Sequence, residues 1–433
     1  MGAWLPHWAL MQHAAPTSSP LTGLILTGGG ARAAYQVGVL KAVARIRRDC
    51  KAPYGNPFPV IAGTSAGAIN AAAIACHADH FDLAVAGLAD VWANFEAEQV
   101  YRADSLGVIR TGARWLTLWS IGWIIARWRR MRPRSLLDNT PLHDLLKRLV
   151  HLDRLHEVME AGHLQALAVT GSSYSSGFHV TFYDAVRDFQ AWTRSQRIAV
   201  KTNITLSHLL ASSAIPFVFP AVPLVVEGQQ EYFGDGSMRQ AAPISPAVHL
   251  GAEKVLVIGA GRMHEPPGQR RAAIEYPSLA QIAGHAMSSI FLDALSVDIE
   301  RLQRINNTLS LLPPEARARS NLRPIEVLVI APSQRLDDMA ARHIHHLPPA
   351  VRALLRGVGV SGAGHHHEAS GSALASYLLF EAPFTRELIA LGEADTFARR
   401  DEVVKFFGWE RRETRQRGDV ASPEAALAIR AGA

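Results

Sequence analysis

Apolar and polar positions follow two different periods along this chain, and the switches between them mark its elements. Leu24 to Thr27 form a short apolar run. Three glycines, Gly28 to Gly30, follow, and an apolar helical pattern then continues to about Arg48. After the turn-rich stretch PYGNP, the segment PVIAGTSAGAINAAAIA repeats the order strand, turn, helix. Such alternation predicts an α/β protein built on a parallel sheet. Further strands are expected at LQALAVTGSS, HVTFYD, YFGDGS, KVLVIGAG and IEVLVIAP. Helical spacing is expected over residues 141–150, 206–213, 278–305 and 372–391. No internal repeat is evident. Residues 1–20 are expected to form a flexible arm, and the charged, then alanine-rich tail beyond Phe407 is expected to fray.

Composition narrows this picture only slightly. The 433 residues are 48% hydrophobic and 19% charged, ample for one large or two moderate cores. The formal charge of +6 is modest, but eight arginines lie between Arg102 and Arg134 among few acids. That stretch points to an anionic partner more than the whole molecule does. Cys50 and Cys76 form neither a metal pattern nor a disulfide framework, which suggests a reducing compartment. The first twenty residues lack a basic leader, and prolines interrupt them, so no secretory signal is expected. With no uninterrupted run of 18 or more apolar residues, no spanning helix is expected either. The resulting expectation is a cytoplasmic protein, at most peripheral at the inner face of a membrane.

The chemistry is concentrated at the strand-to-helix turns. Glycines at Gly28 to Gly30 let a ligand approach the main chain, where the first amides of the following helix lack partners. Such a turn holds negative charge: a phosphate, a pyrophosphate or a reaction oxyanion. Downstream, GTSAG at residues 63–67 fits Gly-x-Ser-x-Gly between a strand and a small-residue helix, the setting of a nucleophile elbow. Ser65 is therefore the candidate nucleophile, with Gly63 and Gly67 keeping its surroundings clear. A serine hydroxyl needs a base to take its proton. Asp184, in FYDAVRD, reads as part of an exposed turn, whereas Asp235, in YFGDGS, sits between two glycines at the end of an apolar segment. Asp-Gly also suits an ordinary hairpin turn, so these residues alone leave the role of Asp235 open.

Taken together, GGGARAAYQVGVL, GTSAG and DGS, with SSAIPFVFPAV ahead of the aspartate, resemble the patatin-like phospholipase family. The resemblance covers roughly residues 21–333. It implies a patatin-like three-layer α/β/α fold with a mainly parallel central sheet. A flexible arm over 1–20 would precede that catalytic domain, and a helical C-terminal extension with a frayed tail would follow over 334–433. It further implies a serine–aspartate dyad without a catalytic histidine, acting on acyl esters of lipids and needing no cofactor or metal. Carried onto this chain, Ser65 is the nucleophile and Asp235 the proton acceptor. Gly29 and Gly30, supported by Gly28 and Arg32, form the oxyanion hole, and Gly236 and Ser237 complete the aspartate motif. Two positions depart from the family pattern: Ala33 where a further glycine is frequent, and Ser237 where glycine or alanine is usual.

Other readings compete. A dinucleotide site would use Gly28-x-Gly30 with Asp49, but the third glycine is replaced by Ala33 and Asp49 closes a basic helix. A Ser-His-Asp hydrolase would recruit His249, His264 or His285 after Asp235, yet only 37 residues separate Gly28 from Ser65. A non-catalytic, membrane-associated adaptor on the same scaffold is the third. RWLTLWSIGWIIARWRRMRPR, residues 114–134, places Trp115, Trp119 and Trp123 on one helical stripe flanked by arginines. It fits either a helix lying at a lipid headgroup boundary or a core helix capped by solvated arginines. GHHHE and HIHH are read as solvated loop residues and His285 as a packed or partner-bonded histidine. A lipid substrate and a peripheral membrane surface are the expected partners, and no nucleic-acid recognition module accompanies the arginines.

Overall fold

Strands form at the apolar runs expected to hold them, and also over Thr193–Arg194, Arg197–Lys201 and Val222–Val226, where none was expected. The computed structural model describes residues 20–102, 135–263, 276–360 and 368–410. Its strands are β1 (Thr22–Leu26), β2 (Val60–Thr64), β3 (Ala166–Ser173), β4 (His179–Ala185), β5 (Thr193–Arg194), β6 (Arg197–Lys201), β7 (Val222–Val226), β8 (Gln229–Asp235), β9 (Lys254–Ile258) and β10 (Glu326–Ile330). They join one sheet in the order β10-β9-β1-β2-β3-β4-β6-β5, with β8 paired to β3 and β7 to β8. The run from β10 through β9, β1 and β2 to β3 is parallel. Beyond β3 the sheet is mixed, because β4 and β8 both run antiparallel to β3. Asp184, expected in an exposed turn, lies inside β4 opposite Leu167 and is half-buried.

Both faces of the parallel region are covered. Leu24, Leu26, Ile61, Leu256 and Ile258 face one apolar cluster, while Ile25, Val60, Ala62, Val255 and Val257 face another. That alternation within continuous apolar runs is what a sheet sandwiched between helices requires. On the larger side lie α1 (Ala34–Asp49), α2 (Ala66–Ala75) and α3 (Phe81–Ala93). Further along come α4 (Thr140–Leu149) and α5 (Leu206–Ser212). A long helix, α6, runs from Leu279 to Leu311 and contains a π-helical turn at Ser289–Asp293.

By length and composition α6 could cross a membrane, although it contains no uninterrupted run of 18 apolar residues. Its Met287, Phe291 and Leu295 are nevertheless buried in the protein, and its Asp298 accepts a hydrogen bond from the Ile244 amide.

The C-terminal helices include α7 (Leu336–His343), α8 (Glu368–Leu378) and α9 (Ala382–Ala398). One helix was expected over 372–391; the chain instead breaks after Leu378 and restarts with Pro383 in the first turn of α9. Proline is tolerated there but not within a helix, so the break has a local cause. Along α9, Gly392 lies against the Tyr35 carbonyl of α1, and Gly38 of α1 lies against the Ile389 carbonyl. Two backbones can approach this closely only where no Cβ intervenes.

Candidate active site

The turn after β2 is built around Ser65. Its backbone has φ 57° and ψ −132°, a region costly for any residue with a side chain and typical of strained functional turns. The glycines on either side are sterically required. A Cβ on Gly63 would sit 2.4 Å from the Gly67 carbonyl oxygen, and one on Gly67 would sit 2.3 Å from the Leu26 carbonyl oxygen. The Ser65 amide donates to Ser212 Oγ at 2.9 Å, which pins the turn to the end of α5.

Asp235 reaches this point through the sheet. On β3, the β2 pairing ends at Thr64 opposite Thr170, and the β8 pairing begins at the next position, with Gly171 opposite Asp235. Two strands thus meet end to end along one edge of β3, and the residues at their tips face each other. Ser65 Oγ donates to Asp235 Oδ2 at 2.6 Å, and the Ser237 amide donates to Oδ1 at 2.8 Å. The aspartate's own amide donates to the Ala214 carbonyl, and the Gly236 amide donates to that of Ser212. Gly236 has no room for a side chain, since a Cβ would lie 2.2 Å from the Thr170 carbonyl oxygen. Asp235 is fully buried. Burial pushes its carboxyl up to about 6, against the opposing pull of the hydrogen bonds from Ser65 and Ser237.

Beside this pair lies the glycine turn after β1. Gly30 opens a short 3-10 turn to Ala33 and has φ +55°, while the Arg32 amide donates back to the Gly29 carbonyl. Among the described residues, the amides of Gly28, Gly29 and Gly30 have no hydrogen-bond partner. The Arg32 guanidinium turns away from the turn and toward the C-terminal helices. Ser237, at the position departing from the family pattern, has its buried hydroxyl directly beside Gly28. Outside this set, His179 Nε2 lies 3.0 Å from the Gly236 carbonyl. With that carbonyl as acceptor, Nε2 carries the proton, and burial holds the ring's pKa down at about 4, leaving it neutral.

An apolar cavity of about 340 Å³ begins at Ala66, the residue after Ser65, and runs between α2, α3 and α4 past Ile69, Leu88, Trp92, Leu145 and Phe219. Nothing in the sequence pattern singled it out, because its walls are alanines and leucines like those of any core. Ser212, His179 and the cavity were all missed in the sequence. Only the SSAIPFVFPAV block hinted at the first of them.

The histidines considered for a triad lie elsewhere or outside the described residues. His249 stacks on Trp192 at 4.5 Å in the cluster on the smaller side of the sheet. His285 is exposed on α6 rather than packed, and His264 falls outside the described residues. Trp115, Trp119 and Trp123 and the histidines of GHHHE also fall outside them. In HIHH, His343 closes α7 and pairs with Glu387 at 2.6 Å, so it is a fixed helix-end residue and not a solvated loop one.

A family model described as Patatin-like phospholipase matches residues 24–248, a span that holds Gly28 to Gly30, Ser65 and Asp235. Among solved structures, the chain is similar to VipD from Legionella pneumophila, at 13% identity over 86% of this chain and 67% of that one, with a TM-score of 0.29. It is also similar to the type III effector protein ExoU, at 15% identity over 90% of this chain and 88% of that one, with a TM-score of 0.26. Comparison with curated proteins gives no significant match.

Proposed function

Since this chain belongs to the patatin-like phospholipase family of lipid acyl hydrolases, we propose that it cleaves acyl esters with Ser65 as nucleophile and Asp235 as its base. The observation that carries this reading is the 2.6 Å hydrogen bond from Ser65 Oγ to a fully buried Asp235, beside unpartnered glycine amides. In the first step Asp235 Oδ2 takes the Ser65 proton as Oγ attacks the ester carbonyl. The carbonyl oxygen gains charge and is met by the amides of Gly28 to Gly30, with Gly29 and Gly30 foremost. Fixed donors of this kind need no reorganisation during the reaction, and losing one typically costs about 3 kcal/mol of barrier. Collapse expels the alcohol, which recovers its proton from Asp235. Water, deprotonated by the same carboxylate, then attacks the acyl-enzyme, and the fatty acid leaves with Ser65 restored.

Two further features support the reading. A carboxylate is a feeble base toward an alcohol in water, and desolvation raises its proton affinity toward the working range. The cavity that starts at Ala66 has the shape and apolar lining suited to the acyl chain of a lipid ester. A substrate held in lipid aggregates implies that the protein works at a peripheral lipid surface.

Incubation with a lipid-like fluorophosphonate followed by mass spectrometry tests the assignment. Wild type is expected to carry one adduct at Ser65, Ser65→Ala none, and Asp235→Asn far less at equal times. Fatty acid release from mixed phospholipid and triacylglycerol vesicles should fall in parallel by at least about a thousandfold in either variant. Full turnover by Asp235→Asn would overturn the dyad.

A further inference from the structure

We propose that Asp337, Ser376 and Tyr377 are positioning residues that hold the glycine turn in its working geometry through Arg32. The oxyanion donors are then set by the C-terminal helices as well as by the motif itself. The role of the turn rests on the function proposed above; the clamp rests on contacts of its own.

Arg32 is the first of these contacts. It is 2% exposed, and a guanidinium so buried needs partners for its charge and its donors. Among the described residues, its side-chain partners come from α7 and α8. It forms an ion pair with Asp337, donates from Nε to Ser376 Oγ at 2.8 Å, and lies near the Ala373 carbonyl. Its planar face covers the Tyr377 ring at 4.0 Å. Ser376 Oγ in turn donates to the Ala373 carbonyl at 2.6 Å, which leaves its lone pairs for Arg32. The arginine is thus bound on its edge and its face at once, a geometry that a lysine could not reproduce.

The turn itself is the second. A Cβ on Gly30 would lie 2.3 Å from the Tyr377 carbonyl oxygen, so the glycine backbone rests directly on α8. Tyr377 stacks on Phe291 at 5.0 Å, and Phe291 would meet a Cβ on Gly28 at 2.9 Å. Phe291 belongs to the π-helical turn of α6, a local irregularity that re-aims side chains and recurs at functional sites. Gly28 therefore lies against the Phe291 ring and Gly30 against the Tyr377 backbone, and the two rings stack on each other. Tyr101 Oη donates to the Leu378 carbonyl at 2.9 Å and fixes the end of α8 from the other side.

The third point is what the turn lacks. Apart from the bonds within its 3-10 segment, the Arg32 amide reaches the Gly29 carbonyl, while the three glycine amides have no partner among the described residues. Amides left open for an oxyanion cannot also fix their own position, so something outside must do it. Phe291, Asp337, Ser376 and Tyr377 all lie beyond residue 248, where the family match ends. This chain thus supplies from α6, α7 and α8 a support that the matched span does not contain.

The test uses the full chain, p-nitrophenyl butyrate turnover, and amide hydrogen exchange read over residues 28–32. Asp337→Asn is expected to lower kcat by about 10- to 100-fold with KM within about twofold, since a displacement near 1 Å is worth that much. Asp337→Glu should recover most of the loss. The same Asp337→Asn variant should exchange faster over residues 28–32 while exchange in β3 is unchanged. Should Asp337→Asn fail to fold, Ser376→Ala keeps the ion pair and should give a smaller kcat loss with the same exchange signature. Wild-type kcat, or a kcat loss without faster exchange in the turn, would overturn the clamp. If wild type itself turned over no ester, the functional reading would fail, and the exchange comparison would still decide the clamp.

Discussion

Asp235 shows how one residue's surroundings set both chemistry and stability. Its carboxyl is pushed up to about 6 by burial. The carboxylate form is the one able to accept the Ser65 proton. kcat/KM is therefore expected to rise with pH through about 6 and then level off, measured on a soluble ester across pH 4–8. The stability effect has the opposite sense. The folded pKa lies above the unfolded value, so the folded state binds the extra proton between the two and loses stability as pH rises from about 4 to 6. Asp235→Asn removes that penalty. It should raise the unfolding free energy by about 3 kcal/mol at pH 7 and by almost nothing at pH 4, read from denaturant melts at both values. A variant that is inactive yet more stable only at neutral pH would be hard to explain without a buried, ionised base. The sequence displayed both members of this pair, Ser65 through its glycine-flanked turn and Asp235 through Asp-Gly. It did not display Ser212 or His179, since a serine and a histidine in an apolar segment carry no spacing signal.

Between elements, the informative contacts are those in which side chains are missing. Gly38 of α1 and Gly392 of α9 let two helices touch through their backbones. Gly38→Ala would drive a methyl to 2.0 Å from the Ile389 carbonyl oxygen, so the helices must move apart. A loss of about 1–3 kcal/mol is expected, seen as a lower thermal midpoint with the active-site chemistry unaltered. On α2, small residues do something different. Ala66 and Ala73 leave space that becomes the wall of the cavity. Ala73→Phe should fill part of it, cutting kcat/KM for p-nitrophenyl dodecanoate by about tenfold while leaving the butyrate ester within about twofold. Equal losses on both esters would argue against an acyl chain in that space. Helix α2 was legible as a helix from its alanines, but those that face a void and those that face a neighbour look the same in sequence. The helix expected over 372–391 illustrates the reverse: Pro383 marked a boundary, and the apolar spacing running across it concealed the break.

For the molecule as a whole, the C-terminal helices belong to the same packed body as the motif-bearing part. Tyr35, Val39 and Val43 of α1 are fully buried, and α9 packs along that helix. A chain ending at residue 333 would lose α7, α8 and α9 together. It is expected to lack a cooperative thermal transition and to bind a hydrophobic dye, whereas removing only residues 411–433 should leave the transition in place. A cooperative, dye-free 1–333 fragment would show that the span expected as a catalytic domain folds alone.

Some of this was fixed locally, and some was not. Alternating apolar runs, glycine turns and a strand-turn-helix order were sufficient to give the α/β class, the flanks of Ser65 and the strand that ends at Asp235, because each depends on a few neighbouring residues. The meeting of Ser65 with Asp235 depends on β3, where β2 stops at Thr170 and β8 begins at Gly171. The support of the glycine turn depends on residues about 300 positions away, and the cavity on where three helices fail to touch. Register between strands and the gaps between helices come from the packing of the whole chain, and no window of sequence contains them.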